Sequence, residues 1–129
     1  MEHLYIEPSG RTPEVFFNID DSKLCILGRS FPEDVSAFYL PIEKWLKNNI
    51  VECVKCFNME IQLEYFNTTS SKYLLEMMRI IEDYKKKHDV PVAVHWKYFS
   101  NDEDMKESGM EYQQFVSIPF VFEEVRKNV

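Results

Sequence analysis

Several groups of residues have the types and spacing that could do chemistry. Cys53-Val54-Lys55-Cys56 sets two thiols three residues apart, as in half a zinc site or a redox pair. Zinc needs about four ligands, and no second Cys or His pair stands at ligand spacing. A redox pair belongs at a helix start after a strand, whereas these thiols enter a strand, where residues three apart face opposite sides. Both read as structural. Glu60 and Glu64 fall on one strand face, but nothing buries them or drives their pKa values apart, as acid/base work requires. His3, His88 and His95 are scattered, without the spacing of a triad or a metal cluster. Asp102-Glu103-Asp104 lacks the alternation of a calcium loop and reads as charge at a helix start. Three glycines are too few for a phosphate-binding loop, and no G-x-S-x-G elbow occurs. No catalytic residue, metal ligand or cofactor site emerges, and the chain reads as something other than an enzyme.

One more group remains, Asn67-Thr68-Thr69-Ser70-Ser71, followed by Lys72. It joins an apolar strand end to an apolar helix, where a side-chain oxygen serves as N-cap for otherwise unpaired N–H groups. Five small polar residues exceed what one cap needs. A phosphate here would sit near free N–H groups at the positive helix end, so the fold could carry it without unfolding.

The elements around this junction follow from periodicity. Val15–Ile19 and Leu24–Leu27 flank Asp20-Asp21-Ser22, which suggests a hairpin. Ser30-Phe31-Pro32-Glu33 has the form of a capping box. Val35, Phe38, Ile42, Trp45 and Leu46 then make an amphipathic helix ending near Asn48-Asn49, with Pro41 expected to kink it. From about Lys55 to Tyr65, Met59, Ile61, Leu63 and Tyr65 alternate with polar residues, and Val94, Trp96 and Tyr98 repeat the pattern. A strand covered on both faces would be continuously apolar. The expectation is an α/β domain over residues 1–129, with about five strands, helices on one face and an open, charged opposite face. There Lys97 and His95 could meet Glu60 or Glu64. A second helix is expected from Ser71 to His88, with Leu74, Leu75, Met77, Met78, Ile81 and Tyr84 as its core stripe and Glu82–Lys86 as an i,i+4 pair. A third helix follows Ser100, with Ser100 and Glu103 as a capping box. Val116–Phe122 closes the chain as a strand, which Pro119 assigns to an edge.

Bulk properties narrow the partners. The 129 residues are 45% hydrophobic and 15% aromatic, a composition for one bulky core. A net charge of −7 repels phosphate backbones and anionic lipid, which argues against nucleic acid. Lys85-Lys86-Lys87-His88 closes a helix and complements its carbonyl end. No run is long enough to insert in a membrane, the start lacks signal-peptide character, and three cysteines leave one unpaired, so the expected setting is the cytoplasm.

Spaced motifs along nearly the whole chain carry a resemblance. Leu4-Tyr5-Ile6-Glu7, Thr12-Pro13-Glu14-Val15, Gly28-Arg29-Ser30-Phe31-Pro32-Glu33, Trp45-Leu46, Tyr65-Phe66-Asn67-Thr68 and Trp96 with Asp102-Glu103-Asp104-Met105 resemble the SiaC family of bacterial regulatory phosphoproteins in order and spacing. The resemblance implies a fold like that of STAS-type anti-sigma-factor antagonists. It also implies a threonine phosphorylated by a dedicated serine/threonine kinase and dephosphorylated by a PP2C-type phosphatase. The unphosphorylated form would bind and activate a diguanylate cyclase, raising cyclic-di-GMP and favouring biofilm or aggregation. Carried over by position, the phosphoacceptor is Thr68, with Thr69 second because it stands where serine is common. The alternative is an antagonist acting on an anti-sigma-type kinase to control transcription. The partner surface would comprise Asn67, Thr68, Thr69, Ser70 and Ser71 with Lys72 and Arg79 on the exposed helix face.

Overall fold

Alternation along the strands becomes the two faces of one sheet. The computed structural model describes residues 3–126. In chain order they form β1 (Leu4–Ile6), β2 (Glu14–Asn18), β3 (Lys23–Ser30), α1 (Val35–Asn49), a 3-10 turn (Ile50–Glu52), β4 (Phe57–Phe66), α2 (Thr68–His88), β5 (Val92–Phe99), α3 (Glu103–Phe115) and β6 (Phe120–Val125). The six strands lie side by side in sequence order. β1 to β3 pair antiparallel, and β3 to β6 pair parallel. The three parallel crossovers advance in one direction, and right-handed connections therefore put all three helices on the same face. That matches the expected one-sided sheet, with six strands in place of about five. The addition is β1, whose three residues are too few to show a period.

On the helix side, Phe17, Ile26, Ile61, Val94 and Trp96 pack beneath Tyr39, Ile42 and Leu46 of α1 and Leu74, Met77, Met78 and Ile81 of α2, all essentially inaccessible to solvent. Burying each such aliphatic side chain contributes about 2 kcal/mol before conformational entropy is subtracted. The opposite face is a charged lattice. Glu60 lies 3.4 Å from Lys23 and 3.7 Å from Lys97, and Lys97 reaches Glu123 at 3.8 Å. Lys97 thus meets Glu60 as expected. His95 instead contacts Asn58 at 3.0 Å and Glu123 at 3.2 Å, and Glu64 pairs with Arg29 at 3.1 Å.

Several boundaries differ from the expected ones. The caps of α1 and α3 are Asp34 and Asp102, whose side chains accept from Ala37 N and Met105 N. Ser30 ends β3 with its hydroxyl buried, so the two serine capping boxes do not form. α1 continues through Pro41 to Asn49. α2 begins at Thr68, three residues before Ser71, and β6 starts at Phe120. Tyr65, expected inside, is 51% exposed. The cause is a bulge: Gly28 pairs with Leu63 but Arg29 pairs with Tyr65, leaving Glu64 as an extra residue on β4. Facing it, Gly28 has φ +113°, a backbone conformation that side-chain-bearing residues rarely adopt. Past the bulge Phe66 faces the core and meets Trp96 edge-on at 6.3 Å.

Candidate functional site

The carboxyl ends of β3, β4 and β5 and the starts of α1, α2 and α3 lie along one edge of the sheet. Side chains in such loops stand clear of the core, and α/β sheets concentrate their sites there. At the middle of this edge β4 passes into α2 through Asn67. Its N–H donates to Ser30 O at 3.0 Å, holding the junction to β3. Its Oδ1 accepts from Ser70 N at 2.9 Å, and its carbonyl accepts from Ser71 N at 3.0 Å. The Thr68 and Thr69 N–H groups fall in the first turn, where no preceding carbonyl can receive them.

The four hydroxyls of this turn have separate environments. Thr68, the first helical residue, is exposed, and no side chain among the described residues is bonded to its hydroxyl. Thr69 is exposed too, but donates to Asn67 Oδ1 at 3.2 Å. Ser70 is fully buried. Its Oγ donates to Ser30 O at 3.1 Å and lies 2.9 Å from Ser30 Oγ, which is bonded in turn to Tyr39 OH. Ser71 Oγ meets Tyr112 OH at 2.8 Å, and the same phenol donates to Ser71 O at 2.9 Å. Burial raises the pKa of both phenols, against the pull of these serine contacts, Tyr112 to about 12. They therefore remain neutral donors at physiological pH. Lys72 and Arg79 are exposed on the same helix.

The sequence does not single out Tyr39 or Tyr112, and in it Ser30 reads as a helix cap and part of a family motif, not as a buried partner of this turn. Tyr112 follows Met105 and Gly109 at helical spacing, which marks an inward stripe of α3. Nothing in that spacing names Ser71 as its partner 41 residues away.

Two recesses flank Phe66 at this edge. One, of about 160 Å³, lies between α2 and α3 and is lined by Ser71, Lys72, Leu75, Glu111, Tyr112 and Phe115 among others. The other is rimmed by Glu64, Asp102 and Asp104. Asp102 caps α3, and Asp104 lies in its first turn, the helix-start role expected for this acidic run.

The remaining groups do not assemble. Cys53 and Cys56 are free thiols in the turn between Glu52 and Phe57, ahead of the strand they were expected to enter. Burial raises the Cys53 thiol pKa, which suppresses the nucleophilic thiolate. For Glu60, burial favours the neutral acid, but the Cys25 thiol, Lys97 and Lys23 outweigh it and hold the carboxyl below its usual range. It is a structural anion. His3 binds at Ile19 and Asp20, His88 lies against Tyr84, and His95 sits on the open face. Among the described residues no three His, Cys, Asp or Glu side chains converge as a metal site, and no helix is long and apolar enough to cross a membrane.

Known proteins match at the level of both sequence and fold. The family model for the SiaC family regulatory phosphoprotein matches residues 6–125. An uncharacterised protein of Pseudomonas aeruginosa (strain UCBPP-PA14) is 23% identical over 123 residues, covering 95% of this chain and 97% of that one. The crystal structure of apo-SiaC from P. aeruginosa superposes with a TM-score of 0.83 at 20% identity, over 95% of this chain and 99% of that one. A chain in the crystal structure of the diguanylate cyclase SiaD with its activator SiaC, also from P. aeruginosa, gives 0.87 at 21% identity, over 95% and 99%. At these identities the structural likeness is one of fold.

Proposed function

The chain belongs to the SiaC family of regulatory phosphoproteins, and we propose that its switch is Thr68, whose unphosphorylated form binds and activates a diguanylate cyclase. The observation that carries this reading is the sorting of four adjacent hydroxyls: Thr68 is exposed and unbonded, while Ser70 and Ser71 are held by Ser30, Tyr39 and Tyr112. A kinase active site must surround the acceptor oxygen, so accessibility favours Thr68, then Thr69. The first-turn N–H groups and the positive end of α2 suit the added charge.

In this reading the chain is not an enzyme. A dedicated serine/threonine kinase and a PP2C-type phosphatase set its state, in the cytoplasm, and cyclic-di-GMP output follows that state. The P. aeruginosa SiaC that shares this fold is an activator of a diguanylate cyclase, which supports the choice of partner. The partner surface comprises Thr68, Thr69, Lys72 and Arg79 with the half-buried Asn67 and Ser71; Ser70, expected on that surface, is fully buried and braces the turn from within.

The test is affinity for the diguanylate cyclases of the same cell, with intact-mass and peptide mass spectrometry locating the phosphate. Thr68→Ala keeps binding, and Thr68→Glu weakens it by about tenfold, as expected for a charge placed in an interface. Equal affinity of the phosphorylated and unmodified chains sinks the reading, and capture of an anti-sigma-type kinase in place of a cyclase redirects it to transcription.

A further inference from the structure

Helical spacing sets a row of side chains along one side of α2. Thr68, Lys72, Leu75 and Arg79 follow at steps of four, three and four, so Thr68 stands one turn from Lys72 on the same side. Lys72 and Leu75 line the groove against α3, whose far wall includes Glu111, Tyr112 and Phe115. At about 160 Å³ the groove holds one large side chain and is smaller than an ordinary small-molecule site. Phe115 stands at it 65% exposed.

Charge at this groove is equally specific. Lys72 is the one basic residue lining either recess beside Phe66; the other charged groups there are Glu64, Asp102, Asp104 and Glu111. Among the described residues, Lys72 is ion-paired with no carboxylate; surface cations such as Lys55 and Arg79 are unpaired too, but Lys72 is the one that lines the groove. An unpaired cation beside an apolar notch fits a partner that brings an anion and an apolar anchor together.

We propose that the α2–α3 groove seats the protein partner, taking one apolar side chain next to a carboxylate, and that Lys72 exchanges that carboxylate for a phosphate on Thr68. This rests on the Thr68 switch described above and supplies its mechanism. Phosphorylation forms a bond from Thr68 Oγ1 to the terminal phosphorus of ATP, breaks that phosphorus's bond to the β-phosphate oxygen, and releases ADP and a proton. The resulting dianion lies one helical turn from Lys72 and pairs with it within the chain. With Lys72 and Glu111 as its charged lining, the groove mouth then changes from balanced to anionic, and Glu111, left without an available cation opposite, adds to the repulsion of an incoming carboxylate.

The experiment has two arms. In the first, full-length chain carrying genetically encoded phosphothreonine at position 68 is titrated by 31P NMR, with Lys72 intact and as Lys72→Gln. The second phosphate ionisation lies near pH ~6 in isolation. Pairing lowers it, and Lys72→Gln raises it by about 0.3 units or more. Identical titrations overturn the pairing. The second arm measures binding of the unphosphorylated chain to its cyclase. Lys72→Glu and Phe115→Ser each weaken it by about tenfold, while Lys55→Glu, on an exposed loop at the opposite end of β4, leaves it unchanged. Unchanged affinity in both groove variants, with thermal midpoints confirming that they fold, overturns the seat. If phosphate fails to weaken cyclase binding although the 31P titration moves with Lys72→Gln, the switch reading falls and the pairing stands.

Discussion

Helices α2 and α3 begin at the same edge of the sheet with the same kind of cap, yet one first turn is neutral and the other acidic. Asn67 Oδ1 accepts from Ser70 N at 2.9 Å, and Asp102 Oδ1 accepts from Met105 N at 3.0 Å. α3 adds Glu103 and Asp104 in its first turn, whereas α2 has no acidic residue in its own. The positive end of α3 is therefore neutralised permanently. That of α2 is faced by neutral hydroxyls, in a chain with 22 acidic and 15 basic residues. The anchoring differs too. α3 is pressed onto Trp96 at Gly109, and Trp96 Nε1 donates to Met105 O at 2.8 Å. The start of α2 is tied down by the Ser30, Tyr39, Ser70 and Ser71–Tyr112 hydrogen bonds. The start of α2 is thus held by contacts that a charge on Thr68 would leave intact, as the proposed switch requires.

The largest expected effect tests the packing of α3. A methyl group at Gly109 would lie 2.5 Å from Cδ1 of the fully buried Trp96, so Gly109→Ala should cost about 2–3 kcal/mol, read from the urea midpoint. Full stability in that variant would mean that α3 is not positioned by this contact. Next comes Ser70→Ala, which strips a partner from Ser30 in a buried site and should cost about 1–2 kcal/mol, with hydrogen exchange rising first around residues 68–71. Exchange unchanged there would move the anchor of α2 elsewhere.

Glu82 joins the two regions, since its carboxylate accepts from Ser117 N at 2.6 Å and Ser117 Oγ at 2.7 Å, just beyond α3. The Ser117 backbone N–H, then its hydroxyl, hold this carboxyl below its ordinary value of 4.5, with help from Lys86 and Arg79 and against burial. A depressed folded pKa gives stability that is present above 4.5 and lost as pH falls through the lower folded value. Glu82→Gln should cost about 1 kcal/mol at neutral pH and flatten that acid dependence; an unchanged acid-unfolding curve would remove Glu82 from the account. The smallest effect is the most direct check of the comparison. Thr68→Glu should stabilise the isolated protein by about 0.5 kcal/mol at low salt, and Glu103→Gln should destabilise it by a similar amount. Both effects should fade in high salt, and a Thr68→Glu that destabilises would mean the α2 terminus is not free to take an anion.

Much of this arrangement was legible in the sequence because it rests on period and local spacing. The alternation through Met59, Ile61 and Leu63 exposed a one-sided sheet, the stripe from Leu74 to Tyr84 marked α2, and the Glu82–Lys86 pair forms at 3.9 Å. Spaced motifs from Leu4 to Met105 pointed to the family whose model matches residues 6–125. What stayed hidden is long-range or aperiodic. Ser30 and Ser70 are 40 residues apart, and no local rule says that a serine shaped like a cap will instead turn inward to a tyrosine. Asp34 and Asp102 outcompeted the serine caps because each stands directly before the first helical residue. The bulge at Glu64 breaks a period that reads as continuous in one dimension.

That bulge also sets a phase. Side chains alternate along a strand, so the single extra residue within β4 decides which of Tyr65 and Phe66 faces inward and, through Asn67, the bearing at which α2 leaves the sheet. Were the same sequence to pair on without the bulge, Arg29 would face Glu64 and Ser30 would face Tyr65, which would put Tyr65 in the inward slot now held by Phe66. The row of Thr68, Lys72 and Leu75 would then leave the sheet on a different bearing. The insertion behaves as an indexing tooth: one residue of slack in a strand decides which way a helix faces ten and more residues later.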